Sequence, residues 1–272
     1  MKQLFKNPIL LLLLFTAVQG HAQTDSFRLL RAFRTDVVRL AVDNLDHLYV
    51  VSSAGQLKKF NPQGDSISTY NQVKRFGTLH TVDVTNPLKP LLFYKEFSTI
   101  VILDRLLSFR MAIDLRRLNI IQTSAIGLSY DNNIWLFDEY ENKLKKINED
   151  GTVLLQTPDL RTVFPEAVLP QQIIDQNGTV YLYDATNGLY LFDYYGAFKK
   201  KLPITGWQSI AVWNQYITGI QANRFQFYNM ATLLSGTRPL PAAVQALPYF
   251  HLANNRIFSW TADSVRIYKY SL

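Results

Sequence analysis

The sequence of 272 residues contains no cysteine and only four histidines. The lack of cysteine excludes disulfides, thiolate metal sites, a cysteine nucleophile and a lipoprotein anchor attached through a cysteine. No His-x-x-x-His pair and no Gly-x-Ser-x-Gly segment is present, so two common motifs of hydrolases are missing. We therefore expect no catalytic residues, no metal site and no cofactor.

Charged residues are also few, at 18% of the chain, whereas apolar residues make up 48% and aromatic residues 13%. A chain of this length and composition can bury a large core, which excludes global disorder. The 28 Lys and Arg residues outnumber the 21 Asp and Glu residues, giving a formal net charge of +7. Because the basic residues are scattered in twos and threes, they do not indicate nucleic-acid binding and favour anionic partners only slightly.

Residues 1–22 have the parts of a secretory signal peptide. Two lysines precede an apolar run from Ile9 to Val18, and small residues follow at Gly20 and Ala22, where signal peptidase reads them. We predict cleavage after Ala22, with Gly20 as the alternative. The apolar run has about half of the ~20 residues that a spanning helix needs, so an uncleaved anchor is the weaker interpretation. Loss of the two lysines lowers the formal charge to +5, and the predicted location is the periplasm.

A pattern of two short apolar strands around an Asp or Asn turn recurs six times in the mature chain. The turn residues are separated by 40, 48, 44, 39 and 40 positions; they are Asp43, Asp83, Asp131, Asp175, Asn214 and Asn254. A third strand follows each pair, and a less regular fourth strand follows in the first five units. A period near 40 with about four strands per unit is typical of a β-propeller blade. The sequence therefore predicts an all-β, six-bladed β-propeller.

The sixth unit has no fourth strand after Ser264–Lys269, whereas one strand, Phe27–Phe33, is left over near the start of the chain. We predict that this N-terminal strand completes the last blade, because closure of the ring removes the open sheet edges that invite aggregation. The fourth strand of the fifth unit is predicted near residues 231–235. No linker or shift in composition divides the chain, so residues 23–272 are predicted to form a single domain.

Two resemblances rest on these segments. Asn44–Gly64 and Asn132–Gly151 resemble the blade unit of NHL-type propellers, which implies the fold but no single function. The segments Asp83–Tyr94, Thr99–Arg105 and Ser129–Asp138, with a signal ending in His-Ala-Gln, are similar to an exported propeller group of bacteria with type IX secretion, and within it to the periplasmic plug subunit of the outer-membrane translocon. The second resemblance implies a role in an outer-membrane complex and transfers no functional residue.

The recurrent aspartates offer one candidate metal site. A ring made of Asp43, Asp83, Asp131 and Asp175 would present the oxygen ligands that calcium prefers. Turn formation explains each of them without a ligand, because Asp side chains accept hydrogen bonds from the nearby main chain. We expect structural roles for these residues and for His47, His80 and His251. Asn177-Gly178 begins a glycosylation motif, but its place between two apolar runs predicts a hairpin turn.

The candidate partner-binding residues lie at predicted connections between blades. In a propeller these connections share one end of the ring with the turns between second and third strands. Arginine offers a rigid fork of donors, and aromatic rings offer large contact areas, so both are favoured at interfaces. We predict that the partner contacts this end of the ring, with Phe164 as an apolar anchor among cationic groups; the predicted residues are Lys74, Arg75, Arg116, Arg117, Arg161 and Phe164.

Together these features predict a non-enzymatic, exported scaffold that is monomeric by itself and docks on an outer-membrane protein complex. One alternative is a lactonase-like, metal-dependent hydrolase. Another is a propeller that binds a glycan or small ligand, for which 15 Tyr and 4 Trp supply stacking groups. Many of these aromatics, such as Tyr49, Tyr181 and Trp260, fall on predicted strands, where packing between blades explains them.

Overall fold

The computed structural model describes residues 27–271, apart from the side chains of Val73 and Lys74. The predicted signal peptide, residues 1–22, lies outside the described residues. Within them, no helix is both long enough and apolar enough to cross a bilayer.

The chain forms six antiparallel sheets of four strands each, which are the blades of a β-propeller. The strands of the first half are β1 (Phe27–Arg34), then blade 1 with β2 (Arg39–Val42), β3 (Leu48–Val51), β4 (Leu57–Phe60) and β5 (Ser66–Tyr70), blade 2 with β6 (Thr81–Asp83), β7 (Leu91–Tyr94), β8 (Thr99–Leu103) and β9 (Phe109–Asp114), and blade 3 with β10 (Thr123–Leu128), β11 (Ile134–Asp138), β12 (Lys143–Ile147) and β13 (Val153–Gln156). The strands of the second half are blade 4 with β14 (Gln172–Gln176), β15 (Thr179–Asp184), β16 (Gly188–Asp193) and β17 (Phe198–Leu202), blade 5 with β18 (Ser209–Trp213), β19 (Tyr216–Gln221), β20 (Arg224–Asn229) and β21 (Ser235–Pro239), and blade 6 with β22 (Tyr249–Ala253), β23 (Arg256–Thr261) and β24 (Ser264–Tyr270). The predicted six-bladed, all-β fold is confirmed.

Within residues 27–271, helical structure is confined to single turns between strands. Two are α-helical, α1 (Val73–Phe76) and α2 (Ala242–Gln245), and both lie in connections between blades. Three others are 3₁₀ turns at Lys95–Phe97, Leu115–Leu118 and Leu160–Thr162.

The core is divided among the six interfaces between adjacent blades. Side chains alternate along a strand, so each blade presents apolar residues to both neighbours. In β11, Ile134 and Leu136 pack toward blade 2, whereas Trp135 and Phe137 pack toward blade 4. Because both faces are covered, the inner and middle strands of the blades have nearly continuous apolar sequences, as in Ile134–Phe137. Each of the six clusters of buried side chains contains residues of two neighbouring blades.

Strand β1 closes the ring by pairing antiparallel with β24 as the fourth strand of blade 6, as the sequence predicts. Phe27 packs edge-on against Phe225 of blade 5, with ring centroids 5.9 Å apart. At the other end of the strand, Phe33 contacts Phe60 of blade 1 at 6.1 Å. One strand therefore joins blade 6 to both neighbours, and burial of these rings ties the start of the chain to its last strand.

Asn177-Gly178 forms the predicted hairpin turn. Both residues have positive φ, 55° and 73°, and they join β14 directly to β15.

One strand differs from the prediction. The fourth strand of blade 5 begins at Ser235, because the Asn229 side chain accepts hydrogen bonds from the backbone N–H groups of Ala231 and Thr232 and holds residues 230–234 in a turn. The connection to blade 6 is correspondingly short, at residues 240–248.

Deletion of residues 27–33 should destabilise the whole ring, although the segment is terminal. The deletion exposes the edge of β24 and removes the two Phe contacts that join blade 6 to its neighbours. We expect the melting temperature to fall by more than about 10 °C, as loss of several kcal/mol from a domain of this size implies. Thermal unfolding followed by circular dichroism measures the change, with deletion of residues 23–26 as the control. A melting temperature within a degree or two of wild type would contradict closure by β1.

Candidate docking face

The strands of a blade end on two opposite faces of the ring. The face with the connections between blades and the turns between second and third strands is called the inter-blade face; the face with the other turns is the hairpin face. The longest loops lie on the inter-blade face, and the longest of all is 157–171 between blades 3 and 4. Arg75, Arg116, Arg117 and Arg161 lie on three consecutive connections there, at 71–80, 115–122 and 157–171. Lys74 lies in α1, and its side chain is outside the described part of the structure.

Arg75 is held by two aromatic rings beneath it. Its guanidinium carbon lies 5.0 Å from the centre of the Phe76 ring and 5.2 Å from that of Phe109. These two rings are themselves stacked, with centroids 6.4 Å apart and an interplanar angle of 14°. Cation–π attraction fixes the arginine while its side chain remains exposed.

Arg116 and Arg117 are presented by the 3₁₀ turn Leu115–Leu118. The Asp114 carboxylate caps this turn by accepting a hydrogen bond from the Arg116 backbone N–H at 3.1 Å. The Arg116 guanidinium donates to the Glu96 carbonyl at 2.7 Å and lies 6.0 Å from the Phe97 ring centre. The Arg117 side chain is 85% exposed and has only a loose contact with Asp114, at 3.6 Å. Arg117 is therefore the more available of the two cations.

Arg161 is neutralised by its own loop. Its guanidinium makes a two-pronged contact with the Asp159 carboxylate, Nε to Oδ1 at 2.9 Å and Nη2 to Oδ2 at 2.7 Å. The arginine holds the pKa of Asp159 below its usual range through these hydrogen bonds. Such an exposed pair contributes little to stability but gives the loop a locally neutral, planar surface.

The structure does not present Phe164 on the surface as the predicted apolar anchor. Phe164 is buried, and its ring meets those of Tyr190 and Phe198 edge-on at 4.8 and 4.9 Å. The Phe164 backbone N–H donates to the Leu160 carbonyl, so the loop turns back and inserts the ring between blades 3 and 4. Phe164 belongs to the core.

Among the other apolar side chains exposed on this part of the face are Phe97 at 49%, Ile121 at 64% and Tyr140 at 72%. Phe97 and Tyr140 lie in turns between second and third strands, and Ile121 lies in the connection 115–122. Sequence reasoning missed them because a single apolar residue in a short turn breaks no periodic pattern. These residues could have been found only from the rule that turns between second and third strands lie on the same face as the connections between blades.

Hydrogen bonds to backbone carbonyls hold these segments side by side. The Ser98 hydroxyl donates to the Ile121 carbonyl at 3.0 Å, and the Glu139 backbone N–H donates to the Gln122 carbonyl at 2.8 Å. The connection 115–122 is thereby fixed between the turns of blades 2 and 3. We call the resulting contiguous patch the arginine–aromatic surface; it consists of Phe97, Arg116, Arg117, Ile121, Tyr140 and Arg161.

The recurrent aspartates lie toward the hairpin face, and three of them act in turns. Asp43 is fully buried and accepts hydrogen bonds from the backbone N–H groups of Leu45 and His47 and from the Tyr49 hydroxyl. Asp83 accepts from the Thr85 N–H at 2.8 Å, and Asp131 from the Asn133 N–H at 3.1 Å. The described residues 27–271 contain no group of three or more His, Asp or Glu arranged to hold a metal ion.

Asp175 departs from the predicted turn role. It lies within β14 and accepts hydrogen bonds from the Ser129 hydroxyl and the Trp135 indole N–H, both at 2.8 Å. These donors belong to blade 3, so the carboxylate bonds two blades to each other. Its other oxygen has no hydrogen-bond partner among the described residues.

The histidines lie on different blades and are not brought together. His47 contacts the Asp43 carboxylate through Nδ1 at 2.9 Å. Burial, aided by Lys95 and Arg39, lowers the pKa of His80, and burial lowers the pKa of His251 to about 4. His80 and His251 are therefore neutral at neutral pH. His21 lies outside the described residues.

Replacement of Asp175 by alanine should cost about 2–3 kcal/mol in the free energy of unfolding, because it leaves the buried Trp135 N–H without an acceptor and removes a bond between blades. Urea denaturation measures the loss. Asp150→Ala, at an exposed position of the turn 148–152, is the matched control and should change stability by less than about 0.5 kcal/mol. Equal effects of the two substitutions would contradict a structural role for Asp175.

The comparisons with known proteins agree with the architecture. No family model and no curated protein matches the chain. Among solved structures, virginiamycin B lyase from Staphylococcus aureus superposes with a TM-score of 0.62 at 11% identity, over 90% of this chain and 100% of the lyase. BamB from Moraxella catarrhalis gives 0.57 at 12% identity, over 90% and 98%. An exported protein from Bacteroides fragilis gives 0.58 at 9% identity, over 90% and 96%. At these identities the likeness establishes the β-propeller fold alone, since this fold hosts lyases and non-enzymes alike.

Proposed function

We propose that the protein is a non-enzymatic, exported scaffold that docks on an outer-membrane protein complex through the arginine–aromatic surface. The observation that carries the proposal is the composition of this patch, in which exposed Phe97, Ile121 and Tyr140 lie beside Arg116 and Arg117. Aromatic residues and arginine are enriched at the centres of protein interfaces.

The rigidity of the patch supports the same function. Its segments are tied to each other by hydrogen bonds to backbone carbonyls and rest on blades packed on both sides, so little conformational entropy is lost when a partner binds. The predicted signal peptide favours export, and the fold is shared with an exported protein from Bacteroides fragilis. A plug or accessory subunit of a type IX secretion translocon is the specific form of this function that the sequence resemblance favours.

A second candidate, a propeller that binds a glycan or small ligand, is favoured by one feature of the hairpin face. Tyr130, from the first turn of blade 3, meets Tyr194 edge-on at 5.8 Å, and Tyr194 contacts Tyr195 at 3.9 Å. Tyr130 and Tyr195 are both exposed. Such a cluster could stack on a flat ligand, but it lies on the face opposite to the arginine–aromatic surface. The hydrolase alternative has no comparable observation in its favour.

The double substitution Arg117→Glu with Ile121→Glu should abolish docking without unfolding the protein, because both side chains are exposed and point away from the core. Arg105→Glu with Leu106→Glu makes the same chemical change in an exposed turn of blade 2 on the hairpin face and is the matched control. Each tagged variant is purified from detergent-solubilised cell envelope, and the partner is identified by mass spectrometry. We expect loss of at least about 90% of the co-purified partner for the first variant only.

Retention of the partner at wild-type yield by the first variant, with an unchanged melting temperature, would refute docking through this surface. Loss of the partner by the control instead would place docking on the hairpin face.

A further inference from the structure

The excess positive charge of the chain is concentrated in two paired strands of blade 6. Strand β1 carries Arg28, Arg31 and Arg34, and β24 carries Arg266 and Lys269; neither strand contains an acidic residue. These five cations equal the net charge of +5 predicted for the mature chain. The rest of the mature sequence therefore has no net formal charge.

Salt bridges between the described residues do not neutralise these cations, although Arg34 lies near Asp263. In the described part of the chain, none of the five takes part in an ion pair. The lysines of β17, the outermost strand of blade 4, show the contrast, because Lys199 pairs with Asp193 and Lys201 pairs with Glu166. Two similarly basic outer strands thus differ in how much free charge they present.

Two of the cations are placed directly against each other. Arg28 lies opposite Lys269 in the register of β1 and β24, and like charges in this position are destabilising. Both project from the face of the sheet opposite to Phe27, which packs on blade 5. Arg31 lies on that same side, since its guanidinium donates to the Gln63 carbonyl of blade 1. The three cations therefore form a cluster along the outer rim of the closing blade.

Two exposed leucines lie between Arg28 and Arg31 along the edge strand β1. The register of β1 shifts between Leu29 and Arg31, and the extra residue, Leu30, is left unpaired. Leu29 is 52% exposed and Leu30 is 38% exposed. Charged residues on an edge strand are a common protection against aggregation, but adjacent exposed leucines oppose that protection. Protection of the sheet edge against aggregation therefore does not explain why cations and exposed leucines occur together on β1.

We propose that this basic rim, defined by Arg28, Leu29, Leu30, Arg31 and Lys269, binds the surface of an anionic lipid membrane. Clustered arginine and lysine are attracted to anionic headgroups, and the leucines can enter the boundary between headgroups and acyl chains. The rim is the outermost strand of a ring, so it can meet a flat surface without a complementary cavity. A membrane satisfies both the charge and the apolar groups, whereas an acidic protein segment would satisfy only the charge.

Binding of the basic rim to a membrane is compatible with the proposed docking on a protein partner. In a closed ring of six, blade 6 lies opposite blade 3, and the arginine–aromatic surface spans blades 2 to 4 on the inter-blade face. Contact of the rim with lipid leaves that surface free for a protein partner. The inference does not depend on the proposed function, because lipid binding and co-purification are measured separately.

Co-sedimentation with vesicles tests the proposal. The mature protein is mixed with vesicles of phosphatidylcholine alone, or of phosphatidylcholine and phosphatidylglycerol in equal parts. We expect binding only to the anionic vesicles and weakening by salt. The triple substitution Arg28→Gln, Arg31→Gln and Lys269→Gln should lower the affinity about fivefold per cation, or roughly 100-fold in all. The control Lys199→Gln, Lys200→Gln and Lys201→Gln removes the same charge from β17 and should keep wild-type affinity within about threefold.

A second measurement is independent of the charge substitutions. Because the chain has no cysteine, Leu30→Cys provides a single site for an environment-sensitive fluorophore. We expect a blue shift of its emission on anionic vesicles and none at Leu154→Cys, a somewhat more exposed position on β13 at the opposite rim. Binding to neutral vesicles with equal affinity, equal losses in both triple variants, or no blue shift at position 30 would each overturn the proposal. Wild-type protein that fails to sediment with anionic vesicles would overturn it as well and would leave an acidic protein as the occupant of the rim.

Discussion

The structure depends on the packing of every blade against both of its neighbours. No blade has a core of its own, because the buried side chains lie between sheets rather than within them. Each interface is therefore needed by two blades, and an open ring would leave two apolar sheet faces in water. The pairing of β1 with β24 is the constraint that prevents this, since it completes blade 6 and places Phe27 and Phe33 in the interfaces on its two sides.

This closed ring determines where functional residues can lie. Most side chains of the inner and middle strands are buried between blades. Exposed side chains that can contact a partner therefore lie in the turns of the two faces and on the outermost strands. On the inter-blade face, the connection 115–122 is held between two turns, which brings Phe97, Ile121 and Tyr140 beside Arg116 and Arg117. On the rim of blade 6, the unpaired leucine of β1 lies between Arg28 and Arg31, which take part in no salt bridge between described residues. A scaffold that uses different parts of the ring for a protein and for lipid is consistent with both arrangements.

The sequence predicts the fold well because its signals are local and repeated. The period near 40 residues, the Asp and Asn turns and the missing strand of the last unit each depend on residues close together in the chain. The site is harder to predict, because it depends on how loops fold back. Phe164 has the appearance of a loop aromatic, yet a single hydrogen bond from its N–H to Leu160 directs the ring into the core. Asp175 looks like its counterparts in other turns, but the donors that it binds come from the neighbouring blade. Neither contact produces a periodic pattern in the sequence, so neither could be predicted from it.

Hydrogen–deuterium exchange of the protein alone and in the co-purified complex tests whether the inter-blade face is the docking surface. We expect slower exchange on binding in residues 95–98, 115–122 and 139–142, with no change in the turns of the hairpin face at 104–108 and 148–152. Protection of the hairpin turns, with residues 95–98, 115–122 and 139–142 exchanging as in the free protein, would contradict docking on the inter-blade face.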